Sequence, residues 1–296
     1  MDLFIGIAVN VTFPIVAIAA LGYVMQARIK LDVASINRLL VFVIMPCFLL
    51  HFLASAKQPV SEIWPVAYFT LVQFLVLIPI GWLASNLMGL PRSFGPLMAM
   101  ATVYANVGNY GIPLAQLAFP PEFILHQSVV TALMTILMVT VGAWLLAPRN
   151  TGQGLLSRFG LAFETPIIPA VIIGLTLRAL EIRLPHAVAT PIELLGAAFP
   201  PLALFAMGAQ LATRTAGVVM PGRLSLVLVL KLIIAPAVTW GLAILMQIPE
   251  DLNDLLVVAA ATPIGILLAL FCTEYNREPK FMNAAILIST VLSPFT

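Results

Sequence analysis

The chain is a succession of apolar runs, each close to twenty residues long and parted by loops of a few polar residues. A bilayer's hydrocarbon layer is about 30 Å thick, and a helix crosses it with about 20 apolar residues. Runs of that length, repeated along the whole chain, leave room for spanning helices and little else. Helix breakers and charges delimit ten of them: residues 3–25, 35–55, 62–87, 94–118, 123–147, 164–182, 189–212, 223–247, 252–273 and 279–296. The expected fold class is an all-α polytopic membrane protein with ten transmembrane helices. Composition agrees, because 61% of the residues are hydrophobic and 9% charged, against roughly 25% charged in soluble domains. A soluble enzyme is thereby excluded.

The first apolar run has Asp2 before it and Arg28 and Lys30 after it. A cleavable signal peptide is basic first, so this run is expected to stay as a helix with its N-terminus outside. Arg28, Lys30, Arg38, Arg92, Arg149, Arg158, Arg214, Arg223, Arg277 and Lys280 fall on one side of the ten-span reading, and Lys57, Arg178 and Arg183 on the other. Loops rich in lysine and arginine stay cytoplasmic. This bias predicts both termini outside and a multi-pass protein of the inner membrane. The net charge is only +2 and no basic block occurs, so membrane lipids are expected neighbours and nucleic acid is not a partner.

Two halves show through the sequence. Pro46 in Ile44–Leu50 matches Pro200 in Ala198–Leu204 at an offset of 154. The same offset carries Gly111 onto Gly265, and Pro14 falls one residue from register with Pro169. The halves are residues 1–147 and 164–296, joined by a cytoplasmic linker at 148–163. Five spans is an odd number, so the second half lies inverted, an arrangement that transporters use to place a binding site at the repeat interface.

Span 4 is broken in its middle by Tyr104-Ala-Asn106-Val-Gly108-Asn109-Tyr-Gly111-Ile-Pro113, and span 9 by Ala261-Thr262-Pro263-Ile-Gly265. Proline removes a backbone donor and glycine permits unwound backbone. In hydrocarbon such backbone is tolerated only where protein or a water-filled cavity satisfies it. The spacing predicts Asn109 and Thr262 as caps of the second half-helices, with Pro263 in the first position. Half-helix N-termini aimed at one point attract an anion. Asn106, Asn109, Thr262, Pro263 and the backbone at Gly111 and Gly265 form the expected substrate site, and Gly108, Pro113, Pro46 and Pro200 are the expected helix breaks. Plain structural kinks are the alternative; two breaks at matched positions favour a site.

Asn106-Val-Gly-Asn-Tyr-Gly-Ile-Pro113-Leu114 resembles the span-4 motif of the auxin efflux carrier family, whose bacterial members are malonate, malate or auxin permeases. The resemblance covers the whole chain. It implies a five-plus-five inverted repeat with crossed, broken helices 4 and 9, a plan shared with bile-acid sodium symporters. It also implies a scaffold domain of helices 1, 2, 6 and 7, a transport domain of helices 3–5 and 8–10 working as an elevator, and a homodimer. Plant members have a long central loop, which is short here.

Lys231 is a charge in mid-span, costly unless it faces protein or water. It is read as an anion ligand or as a fixed cation replacing a coupling sodium ion. Gln73 and Gln210 are equally readable as ligands or as interhelical hydrogen bonds, and His51, His126 and His186 as interfacial. The sequence holds no H-E-x-x-H, G-x-S-x-G or P-loop, and no cluster with metal-ligand spacing. No enzyme, cofactor or metal is therefore expected. The expectation is a secondary carrier of small organic acid anions, probed against a sodium-coupled symporter and a channel or sensor.

Overall fold

A computed structural model of the chain describes residues 6, 8–55, 63–147, 166–213 and 221–295. The linker 148–163, the charges Asp2, Lys57, Glu62, Arg149, Arg158, Glu164 and Arg214, and Thr296 lie outside the described residues. What is described is helical. Six helices are long and apolar enough to cross a membrane: α1 (Val9–Ile29), α2 (Val33–Ser55), α3 (Ile63–Leu87), α5 (Phe123–Leu146), α7 (His186–Thr213) and α8 (Pro221–Leu245). Between them stand α4a (Phe94–Val103), α4b (Gly111–Ala118), α6 (Ile167–Ala179), α9a (Glu250–Ala261), α9b (Ile266–Glu274) and α10 (Pro279–Leu292).

Local chemistry sets the helix ends. α1 runs to Ile29, beyond the expected end at residue 25, because no breaker intervenes and Arg28 suits the last turn. It stops where Lys30 adopts φ 51° and its N–H reaches the Gln26 carbonyl at 3.1 Å. The next helix begins at once. Asp32 caps it, accepting from the Ser35 hydroxyl and, at 3.3 Å, from the Ser35 N–H. Those bonds hold the exposed Asp32 carboxyl below the ordinary carboxylate range. α10 closes at Leu292 in a short 3₁₀ turn, Ser293–Phe295, because Pro294 cannot continue it.

The two expected breaks, at Pro46 and Pro200, are local irregularities in helices that continue past them. Pro46 is the second residue of Met45–Ser55 and Pro200 the second of Phe199–Thr213. Each segment continues a longer helix, Val33–Ser55 or His186–Thr213, so the proline removes a bond from the ladder and the helix gives locally. The helices run through, with a π-type turn at Leu40–Ile44 before Pro46 and a turn at Ala198 before Pro200. Pro113, by contrast, lies in the first turn of α4b. It opens that helix; the unwound stretch precedes it and holds Gly108.

The chain forms two compact units. The first comprises residues 1–64, 108–132 and 162–213, and the second residues 65–107, 133–161 and 214–296. In the first, α1 packs along α7 with almost no space between backbones: a Cβ on Gly22 would lie 2.0 Å from the Phe205 carbonyl oxygen, and one on Gly208 1.8 Å from that of Ala19. Small residues at this seam allow the closest approach that membrane helices make. α6 and the first part of α7 pack on α2, where Gly174 meets Leu53 and Gly196 meets the Phe48 backbone. Gln210 donates to Asn37 at 2.7 Å, so it is an interhelical bond within this unit.

In the second unit the starts of α4a, α8 and α10 meet. The Phe94 ring lies 5.7 Å from that of Phe281, and the Arg223 guanidinium sits over Phe94 at 4.8 Å. Gln73 of α3 donates to Thr239 of α8 at 2.6 Å, both fully or almost fully buried. This glutamine too is an interhelical bond.

Candidate functional site

α4a and α9a both stop in the middle of apolar sequence, and they stop for different reasons. Thr262 precedes Pro263, whose ring disfavours helical backbone at the residue before it. Thr262 accordingly turns extended, with φ −58° and ψ 154°. It ends α9a and does not open α9b. Its hydroxyl points back, donating to the Ala259 carbonyl at 2.8 Å. The expected N-cap is therefore a C-terminal one, and Gly265 stands before α9b without a side-chain cap. Asn109 is no cap either, because α4b begins after Tyr110. On the other strand Tyr104 ends α4a in extended backbone, φ −81° and ψ 101°, its N–H bonded to Met100 at 2.8 Å.

The two extended stretches then pair. Ala105 and Ile264 form an antiparallel bridge, flanked by Gly265 N–H to the Tyr104 carbonyl at 3.0 Å and Asn106 N–H to the Pro263 carbonyl at 2.7 Å. Four backbone groups that helix interruption would leave unmade inside an apolar layer are thus satisfied, which is the condition for unwound backbone at membrane depth. A third helix pins the crossing. The Ile264 N–H donates to Ser289 Oγ of α10 at 3.2 Å, and that hydroxyl donates to the Ile286 carbonyl at 3.0 Å.

Lys231 stands one turn back from the crossing. It lies in a π-type turn of α8, Leu230–Ile234, and is 1% exposed. Its ammonium donates to the Ala260 carbonyl at 2.9 Å. The last carbonyls of a helix have no intrahelical donor and carry the negative end of its dipole. The cation therefore sits where α9a is most negative, and with Thr262 it satisfies the carbonyls at 259 and 260. π-type turns inside helices are frequent at functional sites; this one turns a long side chain into the broken helix.

Gly265 has ordinary extended backbone, φ −67° and ψ 135°, so its dihedrals do not call for glycine. Space does: a Cβ there would stand 2.3 Å from Cε1 of the Tyr104 ring and 3.1 Å from the Ala105 carbonyl oxygen. Gly265→Ala is expected to push the ring off the crossing and to destabilise the protein by about 1–3 kcal/mol, the usual cost of overpacking. Thermal melting of Gly265→Ala, Tyr104→Ala and the double variant checks this. The double variant should recover most of the glycine's loss; additive losses would mean that ring and glycine do not share the space.

The structure thus brings Asn106, Thr262, Pro263 and Gly265 to one crossing in the second unit, with Lys231 bonded beside it. Gly108, Asn109, Gly111 and Pro113, like Pro46 and Pro200, belong to the first unit. The sequence reading missed Ser289, which has no local signal in an apolar helix, and gave Tyr104, the first residue of the span-4 break, no role of its own. His126 is buried, its ring 5.7 Å from that of Phe123. Among the described residues no three metal-binding side chains cluster.

Comparison with known proteins agrees with this architecture. A family model described as a membrane transport protein matches residues 7–161 and 159–296. No curated protein matches the chain. Two stretches of one family model covering nearly the whole sequence, on a chain with six membrane-length helices, place it plainly: it belongs to the membrane transport protein family of the auxin efflux carriers.

Proposed function

We propose that this multi-pass membrane protein is a secondary carrier of small organic acid anions, in which the carboxylate binds at the crossing of α4a with α9. The observation that carries the reading is the crossing itself: two interrupted helices held by paired backbone bonds, with a lysine on the last carbonyls of α9a. Discontinuous helices are the form transporters give to a substrate site, half-helix N-termini facing anionic groups and C-terminal ends facing the coupling cation. Here a lysine ammonium stands where that cation would be held. The breaks at 104–110 and 262–265 carry no carboxylate. Both features support sodium-independent transport, with Lys231 as the fixed cation, and Asn106 and the backbone at Gly265 as carboxylate ligands.

The wider organisation belongs to the same proposal. Ten spans in a five-plus-five inverted repeat are supported by Pro46 and Pro200, each just after an irregular turn of its helix. A scaffold of helices 1, 2, 6 and 7, with a transport part that moves as an elevator, is supported by the grouping of those four helices in the first unit, which also holds α4b and the start of α5. Both termini outside, an inner-membrane location and a homodimer complete the reading.

The test is uptake of labelled malonate, malate and indole-3-acetate into proteoliposomes, with and without sodium. Saturable, sodium-independent uptake of one acid with counterflow is the expected result. Uptake only with sodium would make the protein a symporter, and flux without saturation a channel. Asn106→Ala is expected to weaken apparent affinity about tenfold, the scale of a lost hydrogen bond to a charged group, in protein that still folds. Unchanged affinity in the folded variant would remove Asn106 from the site.

A further inference from the structure

We infer that the hydroxyl of Tyr104 is a ligand for the substrate carboxylate, a role that rests on the anion-carrier reading above. Tyr104 is 7% exposed, and its ring edge lies directly over Gly265, the residue that precedes α9b. Buried tyrosines ordinarily give their hydroxyl a partner. Among the described residues this one has none.

The surroundings are those an anion needs. The Ile266 and Leu267 N–H groups in the first turn of α9b have no hydrogen-bond acceptor among the described residues. They open a nine-residue helix whose dipole is positive at that end. Backbone donors in this position bind carboxylates readily. The Tyr104 backbone is tied to Gly265 by the 3.0 Å bond, so the ring and the start of α9b hold one fixed relation. A phenolic O–H donates to an oxyanion as well as accepting. It therefore adds a third donor to the two backbone N–H groups and distinguishes a carboxylate from a neutral amide, which presents a weaker acceptor and N–H groups facing these donors.

The glycine follows from the same arrangement. A side chain at 265 would displace the ring from the first turn of α9b, so Gly265 serves the placement of the hydroxyl as much as the backbone bridge.

The experiment is Tyr104→Phe, which keeps the ring and removes only the donor. Wild type and variant are compared by binding and proteoliposome uptake of malonate, malate and indole-3-acetate, alongside malonamide, malamide and indole-3-acetamide as neutral competitors. The expected result is a melting temperature within a degree or so of wild type, about tenfold weaker affinity for the transported acid and little change for its amide. Replacing Tyr104 with 4-aminophenylalanine restores an N–H donor and is expected to recover part of the loss. Equal acid affinity in wild type and Tyr104→Phe overturns the assignment while leaving the carrier intact. Parallel losses for acid and amide assign the tyrosine to packing and overturn it as well. If wild type binds none of the acids, the carrier reading falls first and this inference with it.

Discussion

Gly208→Leu is expected to leave little folded protein. A Cβ at this position would stand 1.8 Å from the Ala19 carbonyl oxygen and 2.6 Å from its carbon. Both are backbone atoms of α1 and cannot swing aside as a side-chain tip does. Gly22 faces the same seam from the other helix, against the Phe205 carbonyl. A bulky residue forces α1 and α7 apart along their whole contact, so the loss exceeds the 1–3 kcal/mol common for overpacking in a yielding core. Detergent extraction, size-exclusion profile and melting temperature of Gly208→Ala and Gly208→Leu check it. Alanine should lower the melting temperature and leucine should abolish the monodisperse peak. A leucine variant with wild-type behaviour would mean that the helices do not approach so closely.

Lys231→Met is the second large effect. Methionine keeps most of the buried stem's volume and removes the ammonium, so the Ala260 carbonyl loses its donor and α9a its compensating charge. An unsatisfied buried group costs about 1–3 kcal/mol, and more where the lost partner was charged. Uptake of the transported acid is expected to fall about tenfold or more, with an altered dependence on pH and sodium. Stimulation of the variant by sodium would be the clearest sign that the ammonium stands in for a coupling ion. Transport with unchanged rate, pH profile and sodium response would make Lys231 a purely structural cap on α9a.

These two residues illustrate what can be read along the chain. Gly208 is one glycine among 18, and nothing in its neighbours sets it apart, because its importance lies in a helix that starts nearly two hundred residues earlier. Lys231 was conspicuous at once, since a charge inside an apolar run is costly wherever it lies. Its partner was not visible. The carbonyl it holds becomes available only because α9a ends at Ala261, and that ending is set by Pro263.

Thr262 shows how a correct motif can carry a wrong local role. Thr-Pro reads as cap and first helical residue when the helix ahead is considered. The proline acts equally on the residue behind it. With α9a already running into the break, Thr262 turned extended and closed that helix, and the role of residue before α9b passed to Gly265. A proline inside a continuing helix costs one ladder bond, and α2 and α7 take that loss as a π-type turn before Pro46 and a turn before Pro200.

The sequence by itself determined that the chain lives in a membrane, where its helices are interrupted and which charge is buried among them. Those properties depend on run length, on proline and glycine chemistry and on the cost of a charge in hydrocarbon, all of which act locally. Only the tertiary structure decided how the interruptions are satisfied: Tyr104 through Asn106 against Pro263 through Gly265, Ser289 on Ile264, Lys231 on Ala260. Unwound backbone in an apolar layer must find donors and acceptors, and here they come from segments distant along the chain, so their identity is a property of the packing and not of the motif.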